Sequence, residues 1–271
     1  MAKYRNWGIA VAFFALLAFV VRGDFVITGG QLSSFGSGSA SSSSLNTSLV
    51  SYWKLDESSG TRYDSEPTGT PQDLTDNSTV DYTSSGLINN AAYFVSTNLE
   101  VLTISDSSDL STGDIDFSIA AWVKLKSLSA SGERHIFNKY YGASGRREYA
   151  LFMTVNERLA FRVSATGSSG VEITDSTFGA LTTNTWYFVV AWHDSVNNQI
   201  AISINNQTPQ TLAHTTGVYN GTQRVGIGMY EGDPYAWDGY IDEVGFWKKA
   251  LTSNEISELY NSGSGKTCCP F

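Results

Sequence analysis

The chain has 271 residues, with 26 Asp and Glu against 17 Lys and Arg, for a formal net charge of −9. That length suits one large β-sandwich with appendages, and an acidic chain with no Lys/Arg cluster excludes nucleic acid as a partner. The two cysteines, Cys268 and Cys269, are adjacent near the end, so the sandwich must hold itself by packing and not by internal cross-links.

Lys3 and Arg5 precede an apolar run from Trp7 to Val21, closed by Arg22. At a helical rise of about 1.5 Å per residue this run covers about 22 Å, short of a hydrocarbon core of about 30 Å. Residues 1–23 therefore read as a signal peptide or as a short retained helix. A retained helix needs a partner for its apolar surface, either a membrane or the same residues 7–21 of other copies. The cleavage site is poor, which favours retention; on either reading the chain is exported. Residues 24–46 are dominated by Gly and Ser and read as a flexible tether. Arg22-Gly23-Asp24 abuts the apolar run and is read as a chance tripeptide.

From residue 47 the pattern becomes short apolar runs punctuated by Gly, and an all-β sandwich is expected over 47–262. Leu49–Glu57 reads as a strand entering a loop, and Phe117–Lys124 as a central strand. Thr185–Trp192 and Gln199–Asn206 read as a hairpin. Tyr240–Trp247 alternates apolar and polar side chains, as a half-buried strand does. Trp53, Trp122, Trp186 and Phe246 on these strands are expected in the core, as is Trp237. A short helix follows: Thr252 and Glu255 have the spacing of a capping box, Ile256, Leu259 and Tyr260 share one face, and Gly263 supplies a left-handed stop. Residues 263–271 are left as a tail. Neighbouring cysteines rarely pair, because the eight-membered ring strains the peptide between them. Cys268 and Cys269 therefore read as part of a frayed end, or as a disulfide link between subunits.

The segments Leu49-Val50-Ser51-Tyr52-Trp53-Lys54-Leu55-Asp56-Glu57, Phe117-Ser118-Ile119-Ala120-Ala121-Trp122-Val123-Lys124, the hairpin, and Tyr240–Trp247 with its capped helix stand in one order. In that order they resemble a laminin G-like domain of the concanavalin A-like lectin/glucanase superfamily. The resemblance implies a jelly-roll sandwich of two antiparallel sheets with the first and last strands side by side. It also implies a structural calcium ion at that junction, held by Asp56 and Asp242 with Asp64 as a third ligand. The residues themselves leave open a plainer role, with Asp242 bonding backbone amides and Asp56 opening a turn.

Some relatives of this fold hydrolyse glycans, but the Glu-x-Asp-x-x-Glu pattern of the related glucanases is absent. Asp114 and Asp116 sit at a strand entry, and His135, His193 and His214 lack a nucleophile elbow or metal-ligand spacing. No enzyme is expected. Two loops, Asn138–Tyr149 and Tyr230–Trp237, combine rings with polar groups, the mixture that takes the apolar face and the hydroxyls of a sugar. Tyr140, Tyr141, Arg147, Asp233 and Tyr235 are the candidate ligand residues. The expectation is an exported, extracellular or cell-surface recognition module for a glycan or surface polymer. The alternative is a structural subunit of a filament held by its N-terminal helix, with a glycan hydrolase a distant third.

Overall fold

The computed structural model describes residues 44–65, 69–128, 132–142, 145–230 and 235–269. The apolar N-terminal run, the tether up to Ser43, and Asp233 lie outside the described residues. Fifteen strands follow one another among the described residues: β1 (Leu49–Trp53), β2 (Thr75–Asp76), β3 (Asp81–Thr83), β4 (Ala91–Phe94), β5 (Leu102–Ile104), β6 (Phe117–Leu125), β7 (Arg134–Tyr140) and β8 (Arg147–Met153). The second half supplies β9 (Leu159–Val163), β10 (Val171–Thr174), β11 (Trp186–Asp194), β12 (Gln199–Ile204), β13 (Gln210–Ala213), β14 (Val225–Ile227) and β15 (Gly239–Trp247), before helix α1 (Ser253–Tyr260).

One sheet runs β13-β12-β11-β6-β15-β4-β3, with β1 added beside β15, and the other runs β10-β9-β8-β7-β14-β5-β2. The central pairings are antiparallel, as the hairpin β11–β12 and its neighbour β6 show. The two sheets face each other across one apolar core, in which Phe117 lies 5.4 Å from Tyr149 and 5.9 Å from Phe246, ring centre to ring centre. Trp53, Phe246 and Trp237 are fully buried there.

A second apolar layer lies on the outer face of the first sheet. Strand β6 sends Ile119, Ala121 and Val123 between the sheets and Ala120 and Trp122 outward, so both of its faces are covered. That is why it reads as a near-continuous apolar run and not as an alternating one. The cover is α1, whose Ile256 and Leu259 pack on Trp122, Phe188, Trp192 and Trp247. The capping box forms as expected: Thr252 accepts from Glu255 N–H, and the Glu255 side chain accepts from Thr252 N–H. The left-handed stop comes earlier than expected, at Asn261 (φ 45°), whose side-chain amide donates to Gly265 O; Gly263 follows at φ 90°. Asparagine supplies this conformation because its short side chain bonds locally.

Trp186 departs from the expected burial. It lies two residues before Phe188 at the start of β11 and is only partly buried, at the margin of the second layer beside Lys124 and Tyr240. The tail departs too. It turns back so that Gly265 N–H bonds Tyr260 O and Lys266 N–H bonds Leu259 O. Cys268 and Cys269 are bonded to each other and buried in the second layer. The expected link between subunits is therefore corrected: both sulfurs are consumed within the chain and covered.

Candidate functional site

The seven-stranded sheet shows its outer face to solvent over β7–β10. Alternation along these strands sends Tyr149, Leu151, Phe161 and Val163 inward and leaves Tyr140, Ala150, Phe152 and Ala160 outward as a small separate apolar cluster. Arg162, between Phe161 and Val163, must then point outward as well. Its guanidinium lies 4.4 Å above the Phe152 ring and is gripped from two sides. Glu133 takes two bonds from its Nη atoms at 2.9 and 2.6 Å, and Glu172 on β10 accepts at 3.1 and 2.5 Å. Burial alone would raise the Glu133 carboxyl, but His135, with its Nε2 3.8 Å away, and the hydrogen bonds from Arg162 prevail and hold it at about 2. Burial likewise pulls the Arg162 guanidinium down, and the two carboxylates more than offset it.

Over this floor opens a cleft of about 550 Å3, walled by Glu133, Tyr140, Arg147, Arg162, Glu172, Tyr230 and the turn Ser168–Gly170. Arg147 ties its two rims together, donating to Gly142 O at 2.6 Å and to Ser168 O at 2.8 Å, with its head 5.5 Å from the Tyr140 ring. The Tyr230 ring stands edge-on to Tyr140 at 5.8 Å. The cleft thus offers two tyrosines, two arginines and two carboxyl groups, with Tyr140, Arg147, Arg162 and Glu172 on strands and Glu133 and Tyr230 on the segments beside them. That set can receive a small polar ligand with an apolar face.

Of the residues that the sequence singled out, Tyr140 and Arg147 come together in this cleft, joined by Tyr230. Tyr141 does not line it: its ring faces Arg146 at 5.3 Å instead. Tyr235 is 39% exposed, set against Gly132, and does not line the cleft. Asp233 lies outside the described residues. Glu133, Arg162 and Glu172 were missed. Strand parity could have found Arg162, since a charged residue flanked by two core residues on a strand must face out.

The first and last strands do lie side by side. Strand β15 is bordered on one edge by β4, opposite Gly239–Ile241, and then by β1, opposite Val244–Trp247. At the hand-over Glu243 takes a left-handed turn (φ 49°) and the register against β6 slips by a residue, a bulge. Here stand the residues implied for calcium. Asp64 accepts Tyr52 N–H at 2.9 Å and Gln72 N–H at 3.0 Å. Asp56 accepts Asn90 N–H at 2.9 Å and the Asn89 amide at 3.3 Å. Asp242 Oδ2 accepts Leu87 N–H and Ile88 N–H at 2.9 and 3.1 Å, and Oδ1 is buried without a partner. Only one of the carboxylate oxygens is thus open. Among the described residues no three acidic, His or Cys side chains gather as a metal would require. Calcium takes six to eight oxygens, and as placed these residues do not make that shell, so no step is derived through a metal.

Burial raises Asp242 to about 8, with the charge of Glu243 adding to it, and burial raises Glu243 to about 7 against the hydrogen bond from Tyr52 Oη. Thr267 of the tail closes over Glu243. His193 and His214 meet ring to ring at 5.5 Å, a pairing that spacing did not reveal, but each bonds a backbone carbonyl, of Ile115 and Gly217.

No curated protein matches the chain. Among solved structures it is similar to the binding domain of Paraclostridial Mosquitocidal Protein 1, at 14% identity over 81% of this chain and 53% of that one, with a TM-score of 0.65. It is also similar to the receptor binding domain of botulinum neurotoxin mosaic serotype C/D, at 15% identity over 80% of this chain and 51% of that one, TM-score 0.61. The chain spans about half the length of these toxin domains. It spans 98% of domain 4 of AbnA, a GH43 extracellular arabinanase from Geobacillus stearothermophilus solved with arabinotriose, at 19% identity over 80% of this chain, TM-score 0.59. At such identities these likenesses show the fold. A family model of laminin G type, described as the concanavalin A-like lectin/glucanases superfamily, matches residues 97–257, well over half of the sequence, and the chain belongs to that superfamily.

Proposed function

We propose that this protein is an exported recognition module that binds a glycan in the cleft over β7–β10 and does not cleave it. The observation that carries the reading is the constellation itself: Tyr140 and Tyr230 offer apolar ring surface, while Arg147, Arg162, Glu133 and Glu172 are fixed around them as partners for hydroxyls. Fixed groups lose little entropy on binding, which favours affinity from few contacts. Hydrolysis of a glycosidic bond needs one carboxyl held protonated to act as acid. In the cleft the opposite holds, since Arg162 keeps Glu133 ionised. The carboxyls that burial does raise, Asp242 and Glu243, belong to the other sheet, where the tail closes over Glu243. The fold neighbours support binding as well, two of them being named as binding domains and the third having been solved with arabinotriose.

The test is calorimetric titration of the folded chain with arabinotriose and a panel of other neutral and acidic trisaccharides, repeated on Tyr230→Ala and Arg147→Ala. Binding by at least one sugar, weakened about tenfold or more by each variant (roughly 1.4 kcal/mol), is the expected result. Binding unchanged by both variants, or none across the panel, would sink the reading.

A further inference from the structure

On the outer face of the opposite sheet a separate pocket of about 430 Å3 lies between α1 and the β12–β13 turn. Its floor is Trp192, Leu251 and Ile256. Ala201 stands directly across from Trp192 on β12, and Trp192, 8% exposed, shows the pocket only a narrow strip of its surface. The rim is Asn206, Gln207 and Ser253, and all nine lining residues are uncharged. The side chains of Asn206, Gln207 and Ser253 are exposed and make no hydrogen bond among the described residues, nor does the Trp192 indole N–H.

This rim is held in place. Asn205 and Asn206 both adopt left-handed conformations (φ 50° and 57°), and Gln207 N–H closes a tight turn on Ile204 O at 3.0 Å within the five-residue link to β13. Asn205 exchanges two bonds with Phe188, its N–H to the carbonyl at 2.8 Å and its Oδ1 from the amide at 2.9 Å. Ser203 Oγ–H fixes Gln207 O at 2.7 Å. A rigid turn thus presents free amide and hydroxyl groups around an apolar floor.

We propose that this pocket is a second binding site, independent of the cleft, and that it takes one neutral sugar ring. The C–H face of the ring would lie on Trp192, Leu251 and Ile256, and its hydroxyls would meet the rim. The chemistry selects this class. An ionic ligand would find no counter-charge in the lining, and a purely apolar one would strip water from the amides and return no hydrogen bonds, which is costly. A sugar satisfies both surfaces.

Two-dimensional nuclear magnetic resonance of the 15N-labelled chain tests it, with xylotriose and cellotriose as probes at millimolar concentration. The expected result is shifted resonances for the Asn206 and Gln207 side-chain amides and the Trp192 indole with at least one sugar. Gln207→Ala and Ser253→Ala, both on exposed positions, should each weaken that response about tenfold, while Arg147→Ala in the cleft leaves it unchanged. Shifts confined to the cleft would overturn this proposal and leave the cleft reading intact. No shift with either sugar, or shifts unchanged in both rim variants, would overturn it too. So would an apolar dye that occupies the pocket and is not displaced by sugar.

Discussion

At the scale of single residues, Asp242 is the most consequential side chain outside the two proposed sites. Its Oδ2 clamps two amides of the Leu87–Ile88 turn, and its Oδ1 is buried without a partner. A carboxylate in that place pays desolvation with little return, which is why its pKa rises to about 8. The linkage sign follows. The folded state keeps its proton up to about pH 8, whereas the unfolded chain gives it up near 4. Stability from this group is therefore complete below about pH 4 and is lost as pH rises toward 8. Asp242→Asn keeps the amide clamp without the titration, so its unfolding free energy should be flatter than that of the parent between pH 5 and 8, measured by urea melts. An equally steep slope would show that the proton sits elsewhere. Chelator should leave the melting temperature of the parent unchanged, because all but one of the carboxylate oxygens implied for calcium already serve N–H groups. A chelator-sensitive melt that Asp242→Ala abolishes would restore the calcium assignment.

At the scale of elements, β15 concentrates the specificity of the fold. It is flanked by β6 along its length, and its other edge is shared by β4 and β1. Gly245 is required there: a Cβ would stand 2.2 Å from the Trp247 ring and 3.0 Å from that of Tyr52. Gly245→Ala should cost on the order of 2 kcal/mol as packed rings are forced apart, read from the urea midpoint; a change below about 0.5 kcal/mol would mean that the rings yield freely. The strands and the capped helix were legible in the sequence because they rest on local signals: alternation, a paired hairpin, and the Thr252–Glu255 spacing. The cleft was half legible. Tyr140 and Arg147 drew notice as ring and charge in one loop, but Glu133, Arg162 and Glu172 come from three separate segments that only sheet pairing brings together. The fate of Cys268 and Cys269 was not legible at all. It depends on the tail folding back over Tyr52 and Leu259, a tertiary contact with no local signature.

At the scale of the whole molecule, the two layers on either side of the first sheet share strands, so they should melt as one unit. Their titrating groups pull in opposite directions. Burial and hydrogen bonding leave Glu133 and Glu255 at about 2, with Glu255 held by Lys249, Ser44 and its cap despite the opposing effect of burial. Groups lowered in this way add stability that is present above about pH 4.5 and disappears as pH falls toward 2. Asp242 and Glu243, raised to about 8 and about 7, add stability that disappears as pH climbs through neutrality. Together they should give a dome with its top near pH 5, on the acid side of neutral. Removing the tail after Ser264 tests how the two arms are built. It strips Thr267 from Glu243 and the Cys268–Cys269 pair from the second layer. Water then reaches Asp242 and Glu243, and their pKa values fall back toward the ordinary carboxylate range. The truncated chain should therefore be less stable at every pH but lose the decline on the alkaline side, while the acid arm stays. Circular dichroism melts from pH 3 to 9 on both chains read this directly. An alkaline decline that survives truncation would mean that the tail does not keep these carboxyls dry, and that the cover over β15 comes from the Leu87–Ile88 turn alone.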